Sequence, residues 1–117
     1  MQFNILTLFV AAATFAGVSH AYVVELYSGK DCTGDTWSRN VWDNTCAYED
    51  GFKSFKLKKH GGAFQQMTAY SRQACAGTTT FQGCSSGVNS VGIGVCHNTD
   101  SGSNALSSYS SGGPCPK

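Results

Sequence analysis

A ten-residue pattern occurs twice in this chain. Tyr27-Ser28-Gly29-Lys30-Asp31-Cys32-Thr33-Gly34-Asp35-Thr36 reads Y-S-x-x-x-C-x-G-x-T, and Tyr70-Ser71-Arg72-Gln73-Ala74-Cys75-Ala76-Gly77-Thr78-Thr79 repeats it 43 residues later. A unit of this length with a strand-like start and a fixed glycine predicts two copies of one β supersecondary element. That reading constrains the architecture and leaves the activity open.

Residues 1–21 read as a leader. The run from Ile5 to Val18 is apolar and uncharged, and Ser19-His20-Ala21 closes it with a small–x–small cleavage pattern. The mature chain is then expected to begin at Tyr22 and to be secreted, although the n-region has no Lys or Arg beyond its amino terminus. The alternative, a membrane anchor, is disfavoured by the short run and the missing basic flank. No later stretch is apolar enough to span a bilayer, and no lipid-anchor tail follows.

All six cysteines fall after the leader: Cys32, Cys46, Cys75, Cys84, Cys96 and Cys115. An even count behind a secretion signal reads as a disulfide framework. A mature chain this small buries too little surface to do without such staples. Composition alone leaves the pairing open. The repeat suggests one, with each copy closed on itself: Cys32–Cys46, Cys75–Cys84, and Cys96–Cys115 stapling the remainder. Zinc is disfavoured, because no C-x-x-C or H-x3-H spacing occurs.

The strand signals are short and frequent. Tyr22–Tyr27, Asp35–Trp42, Ala63–Tyr70, Thr78–Gln82 and Ser90–Val95 carry β-branched and aromatic residues between Gly-, Asp- and Ser-rich breaks. Asp50-Gly51 reads as a turn, and in Phe52–Lys58 the apolar Phe55 and Leu57 alternate with Lys56 and Lys58. That alternation predicts a half-buried strand with its lysines outward, either as a solvated face that discourages edge pairing or as a binding surface with Lys59 and His60. Beyond His97 the chain turns to Ser, Gly and Asn, predicting a mobile tail over 98–117 held by Cys115. The expected organisation is a β-sandwich over 22–97, with repeats at about 22–60 and 64–96.

These residues resemble the βγ-crystallin double Greek key, a fold also found in small secreted fungal and other microbial proteins of the killer-toxin-like, effector-like and protease-inhibitor kinds. That motif begins with an aromatic, continues to a Gly of unusual backbone conformation, and uses a Ser to pin the folded hairpin. Tyr27, Gly34 and Ser54 match the first copy; Tyr70, Gly77 and Ser90 match the second. The resemblance implies an all-β fold of two Greek-key motifs forming a sandwich. It departs from the family where Cys32 and Cys75 replace an aromatic. It also implies a place for calcium: Glu49-Asp50-Gly51-Phe52-Lys53-Ser54 is the nearest match to the family's site. Lys53 adds an opposing charge there, and a hard cation needs several anionic oxygens, so no cofactor is expected beyond that weak site at Glu49 and Asp50.

No catalytic constellation is legible. His60, His97, Glu25 and Glu49 are the only histidines and glutamates after the leader, and no G-x-S-x-G elbow occurs. Paired carboxylates would have to come from Asp43, Glu49 or Asp50, all in turn-like contexts. The net charge of +1 implies no general attraction to nucleic acid or to anionic membranes. Trp37, Trp42, Tyr48 and Phe52 are expected in the core; alternatively, Trp42 or Tyr48 is exposed to stack on a sugar or anchor a partner. The resulting expectation is a secreted, non-catalytic, monomeric interaction module, toxin- or effector-like. Its target would be on a cell surface, in a cell wall or a secreted protein. An inhibitor of secreted hydrolases, using a loop within His60–Gln66, is the alternative, and a small hydrolase a weaker third.

Overall fold

The computed structural model describes residues 21–87, 90–110 and Cys115; the expected leader over 1–21 lies outside the described residues except for Ala21, which opens the first strand, and the expected tail beyond 110 lies outside them except for Cys115. Among the described residues there are six strands: β1 (Ala21–Tyr27), β2 (Thr36–Trp42), β3 (Thr45–Lys59), β4 (Gln65–Arg72), β5 (Ala76–Cys84) and β6 (Cys96–Ser110). They pair antiparallel in the order β2-β1-β3-β6-β4-β5, with no helix among the described residues. The order is palindromic about the β3–β6 pair, so β1, β2 and β3 of one half correspond to β4, β5 and β6 of the other.

The registers obey the same two-fold relation. Leu26 faces Phe55 and Tyr27 faces Ser54, while 43 residues on Ala69 faces Leu106 and Tyr70 faces Ala105. At the centre, Lys56 faces Cys96 and Cys46 faces Ser107, which is one pair viewed from its two ends. The hairpin loops also coincide. Asp31, Cys32 and Gly34 have φ of 57°, 58° and 87°; Ala74, Cys75 and Gly77 have 66°, 52° and 80°. Gly34 and Gly77 are where a side chain would be most costly. A Cβ there would run into the hydroxyl of Ser28 or Ser71, and these hydroxyls accept the N–H of Asp35 and of Thr78, each at 2.9 Å.

The disulfides are Cys32–Cys96, Cys46–Cys75 and Cys84–Cys115. The expected closure of each copy on itself is therefore incorrect. Because β3 and β6 run antiparallel, the head of each lies beside the tail of the other. Cys32 Sγ sits 3.6 Å from Phe55 O, and Cys75 Sγ sits 3.5 Å from Leu106 O. The cysteine within reach of each hairpin is thus the one at the head of the opposite half's long strand. The two bridges are two-fold equivalents, with Cα–Cα distances of 6.1 Å in both.

Four further expectations are corrected. Residues 98–110 are not a tail: with Cys96 and His97 they form β6, a central strand paired on both sides. Its apolar content is low, but Ala105 and Leu106 are fully buried, and Ser103, Ser107 and Ser108 are buried with backbone groups satisfied in the ladders. Asp50-Gly51 is not a turn but an irregularity within β3, where the register shifts between Tyr48 and Phe52. Ser90–Val95 forms no strand, only isolated bridges from Ser90 to Cys84 and from Ile93 to Leu57. Among the described residues the serine pin is seen in the first half. Cys32 N–H donates to Ser54 Oγ at 2.8 Å, and that hydroxyl donates to Gly29 O at 2.5 Å. Its two-fold equivalent is Ala105, not Ser90.

The core gathers Tyr22, Val24 and Leu26 of β1, Val41 of β2, Phe52, Phe55 and Leu57 of β3, Met67 and Ala69 of β4, and Leu106 of β6. Phe55 and Leu57 point inward as the alternation predicts, and Lys58 points out.

Candidate binding groove beside Tyr48

Among the described residues β2 pairs only with β1, which makes it an edge strand of the sheet. Its alternate residues Trp37, Arg39 and Val41 share one face. Val41 is fully buried and Trp37 packs on the core, which places Arg39 on the same face, its guanidinium reaching in while its side chain stays 44 % exposed. A charge on this face of an edge strand discourages foreign pairing, and here it also answers a buried carboxylate that needs a counter-ion. That carboxylate belongs to Glu49 of β3. Its side chain is fully buried, Oε1 accepts Trp37 Nε1–H at 3.0 Å and Arg39 Nη2–H at 3.2 Å, and Oε2 forms an ion pair with Arg39 Nε. The carboxylate is thus held by a planar guanidinium and an indole, a charge-assisted arrangement that fixes all three side chains.

Above this clamp lies a cavity of about 520 Å³, lined by Ser28 and Asp35 of the first hairpin, Trp37, Arg39, Tyr48, Glu49, Asp50 and Gly51, and Gln73 from the turn of the second hairpin. The volume falls in the range of small-ligand sites. Tyr48 is 57 % exposed at its edge. The groove therefore combines an open aromatic ring with carboxylate, guanidinium and amide groups around it.

The sequence-expected site residues are dispersed. Tyr48 lines the groove, on a strand rather than a loop. Trp42, 49 % exposed, does not line it; neither residue fills the core, whereas Phe52 does and Trp37 is partly buried. Lys58, Lys59 and His60 are exposed at the other end of β3. Lys56 is half-buried opposite Glu25, its Nζ 5.8 Å from the Tyr27 ring centre, and so is already engaged. At the suggested calcium position the Glu49 carboxylate faces Arg39 and Trp37, and among the described residues no group of three or more His, Cys, Asp or Glu could share a metal ion. Of Asp43, Glu49 and Asp50, the last two line the groove, whereas Asp43 lies in the β2–β3 turn and accepts Gly62 N–H at 3.3 Å.

Arg39, Asp35 and Gln73 were not legible as site residues. The Trp37/Arg39 spacing of two on a strand is a signal that could have placed Arg39 on the same face as Trp37. Gln73 carries no signal, because only the tertiary fold brings the second hairpin to the first. Compared with known proteins, the chain matches no protein-family model, no curated protein and no solved structure. Among the described residues no helix is long and apolar enough to cross a membrane.

Proposed function

We propose that this is an extracellular, non-catalytic recognition module, toxin- or effector-like, that holds a saccharide of a cell surface or cell wall in the groove beside Tyr48. The observation that carries this reading is the exposed Tyr48 ring set beside Trp37, with Asp35, Arg39, Asp50 and Gln73 around it. A pyranose offers a weakly positive C–H face and a rim of hydroxyls. The negative face of an aromatic ring suits the first; carboxylate, guanidinium and amide groups suit the second. Glu49, the buried acid of the groove, is committed to Arg39 and Trp37, which favours holding over proton transfer. The bonding of all six cysteines supports an oxidising compartment.

The same proposal retains the βγ-crystallin-like arrangement. The long strands β3 and β6 would bend at their register shifts, giving two facing sheets, each built from three strands of one half and the head of the other half's long strand. The core shared by β1, β3, β4 and β6 and the equivalent positive φ of Gly34 and Gly77 support this Greek-key sandwich.

Titration with soluble glucan, mannan and chitin oligosaccharides tests the function. One of these classes is expected to shift tryptophan emission through Trp37. Tyr48→Ala should weaken that binding at least about tenfold while leaving Tm nearly unchanged, as for other exposed positions. No response to any class, or a Tyr48→Ala variant that binds as wild type, would exclude the groove as a saccharide site.

A further inference from the structure

A second surface lies away from the groove. Gln65, buried at the start of β4, ties together three segments: its Oε1 accepts Asn44 N–H at 3.2 Å and Ser108 Oγ–H at 2.8 Å, and its Nε2 donates to Asn44 Oδ1 at 3.3 Å. Gly61 N–H donates to Ser85 O at 3.0 Å, and Gly62 N–H donates to Asp43. These bonds hold the end of β2, the end of β3, the loop to β4 and the end of β6 at one pole of the molecule.

Three large aromatics stand exposed at that pole. Trp42 is 49 %, Phe64 43 % and Tyr109 45 % exposed; each is one or two residues from Asn44, Gln65 or Ser108 in the bonded cluster. Lys58, Lys59 and His60, all exposed, run into the same loop immediately before Gly61. Among the described residues Asp43 is the only carboxylate in the cluster, and it is already turned onto Gly62. Phe64 has φ of +64°, a conformation uncommon for a bulky residue. The fold thus keeps an aromatic, in a backbone better suited to glycine, where its ring reaches solvent rather than core. Backbone strain of this kind concentrates at functional positions.

We propose that this pole docks on an anionic lipid surface. Trp42, Phe64 and Tyr109 enter the headgroup–acyl boundary, where amphipathic and aromatic rings are favoured, and Lys58, Lys59 and His60 meet the phosphate and carboxylate headgroups. The overall charge of +1 hides this local excess of cations. The aromatics favour a bilayer over a soluble polyanion, which would call on the lysines alone.

Co-sedimentation of the oxidised protein, recovered as secreted, with phosphatidylcholine vesicles containing about a third phosphatidylserine tests the proposal. Binding is expected to the anionic vesicles, far less to pure phosphatidylcholine, and to weaken between about 0.05 and 0.5 M salt. Lys58→Gln with Lys59→Gln should reduce binding about twentyfold. Phe64→Gly should reduce it about tenfold while its Tm equals or exceeds that of wild type, because glycine relieves the backbone; Trp42→Ser serves as an independent second variant. Tyr48→Ala should leave vesicle binding intact, which separates this surface from the groove. The proposal is overturned if neither vesicle retains the protein, or if both retain it equally. It is also overturned if Phe64→Gly and Trp42→Ser bind as wild type, or if heparin captures both variants and wild type alike while vesicles do not.

Discussion

The hairpins that join β1 to β2 and β4 to β5 are the same piece of backbone used twice, with matching φ values, matching serine bonds and matching bridges to the opposite half. The side chains packed behind them differ. In the second half Phe81, aligned with Trp37 across the register, packs edge-on against Phe55 at 4.9 Å and lies 5.5 Å from His97. His97 in turn stacks on Phe55 and stands where the first half has Ala47. The space is filled by aromatic rings, and Thr99, in the place of Glu49, donates its hydroxyl to backbone carbonyls. In the first half a buried carboxylate draws Trp37 and Arg39 together, and a groove opens over them. The two-fold frame is a property of backbone geometry, and the candidate site arises where side chains break it.

The largest test of the shared frame is to remove its bridges one at a time. Replacing Cys32 and Cys96 with serine frees a span of 64 residues, and replacing Cys46 and Cys75 frees one of 29. Loss of the first should cost about 4 kcal/mol and of the second about 3.5 kcal/mol, read as denaturant midpoints. A bridge whose removal leaves the midpoint unchanged would break the equivalence, as would non-reducing peptide maps that join cysteines within one half.

The glycines sharpen the comparison at a smaller scale. Gly34→Val and Gly77→Val should each cost roughly 1–3 kcal/mol. Gly34 should be the more sensitive: a Cβ there lies 3.2 Å from the backbone N of Gly29, whereas at Gly77 the remaining neighbours belong to the Arg72 side chain. Melts of the two variants that rank the other way would show that the surroundings of the hairpins are not as different as their contacts imply.

The smallest effect belongs to one half only. Tyr22 is fully buried and donates its hydroxyl to Ser107 O at 2.8 Å, while its counterpart 43 residues on is Gln65, which does not titrate. Burial, then the nearby Tyr70 and Glu49, raise the Tyr22 pKa well above the ordinary 10.0. The folded chain then keeps a proton that the unfolded chain has released. The resulting stability is whole below pH 10 and is lost as pH rises from there through the folded value. Tyr22→Phe should cost about 1 kcal/mol at neutral pH and flatten the alkaline decline. An unchanged alkaline slope would assign it to groups elsewhere.

Much of the frame was legible in residue order, because its causes are local. Alternation marked Phe55 and Leu57 as buried, the spaced Tyr, Cys and Gly marked two copies of a hairpin, and Gly34 and Gly77 marked its positive φ. Whatever depends on which strand lies beside which was not legible. Cysteine partners follow from the antiparallel β3–β6 pair, which brings Cys96 to Cys32 and Cys46 to Cys75. Thirteen polar-rich residues from Asn98 to Ser110 read as a tail, yet they form a central strand because neighbours on both sides satisfy their backbone groups. Glu49 read as a turn carboxylate and is a buried one, because β2 places the half-exposed Arg39 on the face above it as counter-ion. Sequence carries periodicity and backbone preference; pairing across 20 or more residues depends on loop closure and on burial summed over the whole core. The groove, built from both hairpins, could exist only after that pairing was made.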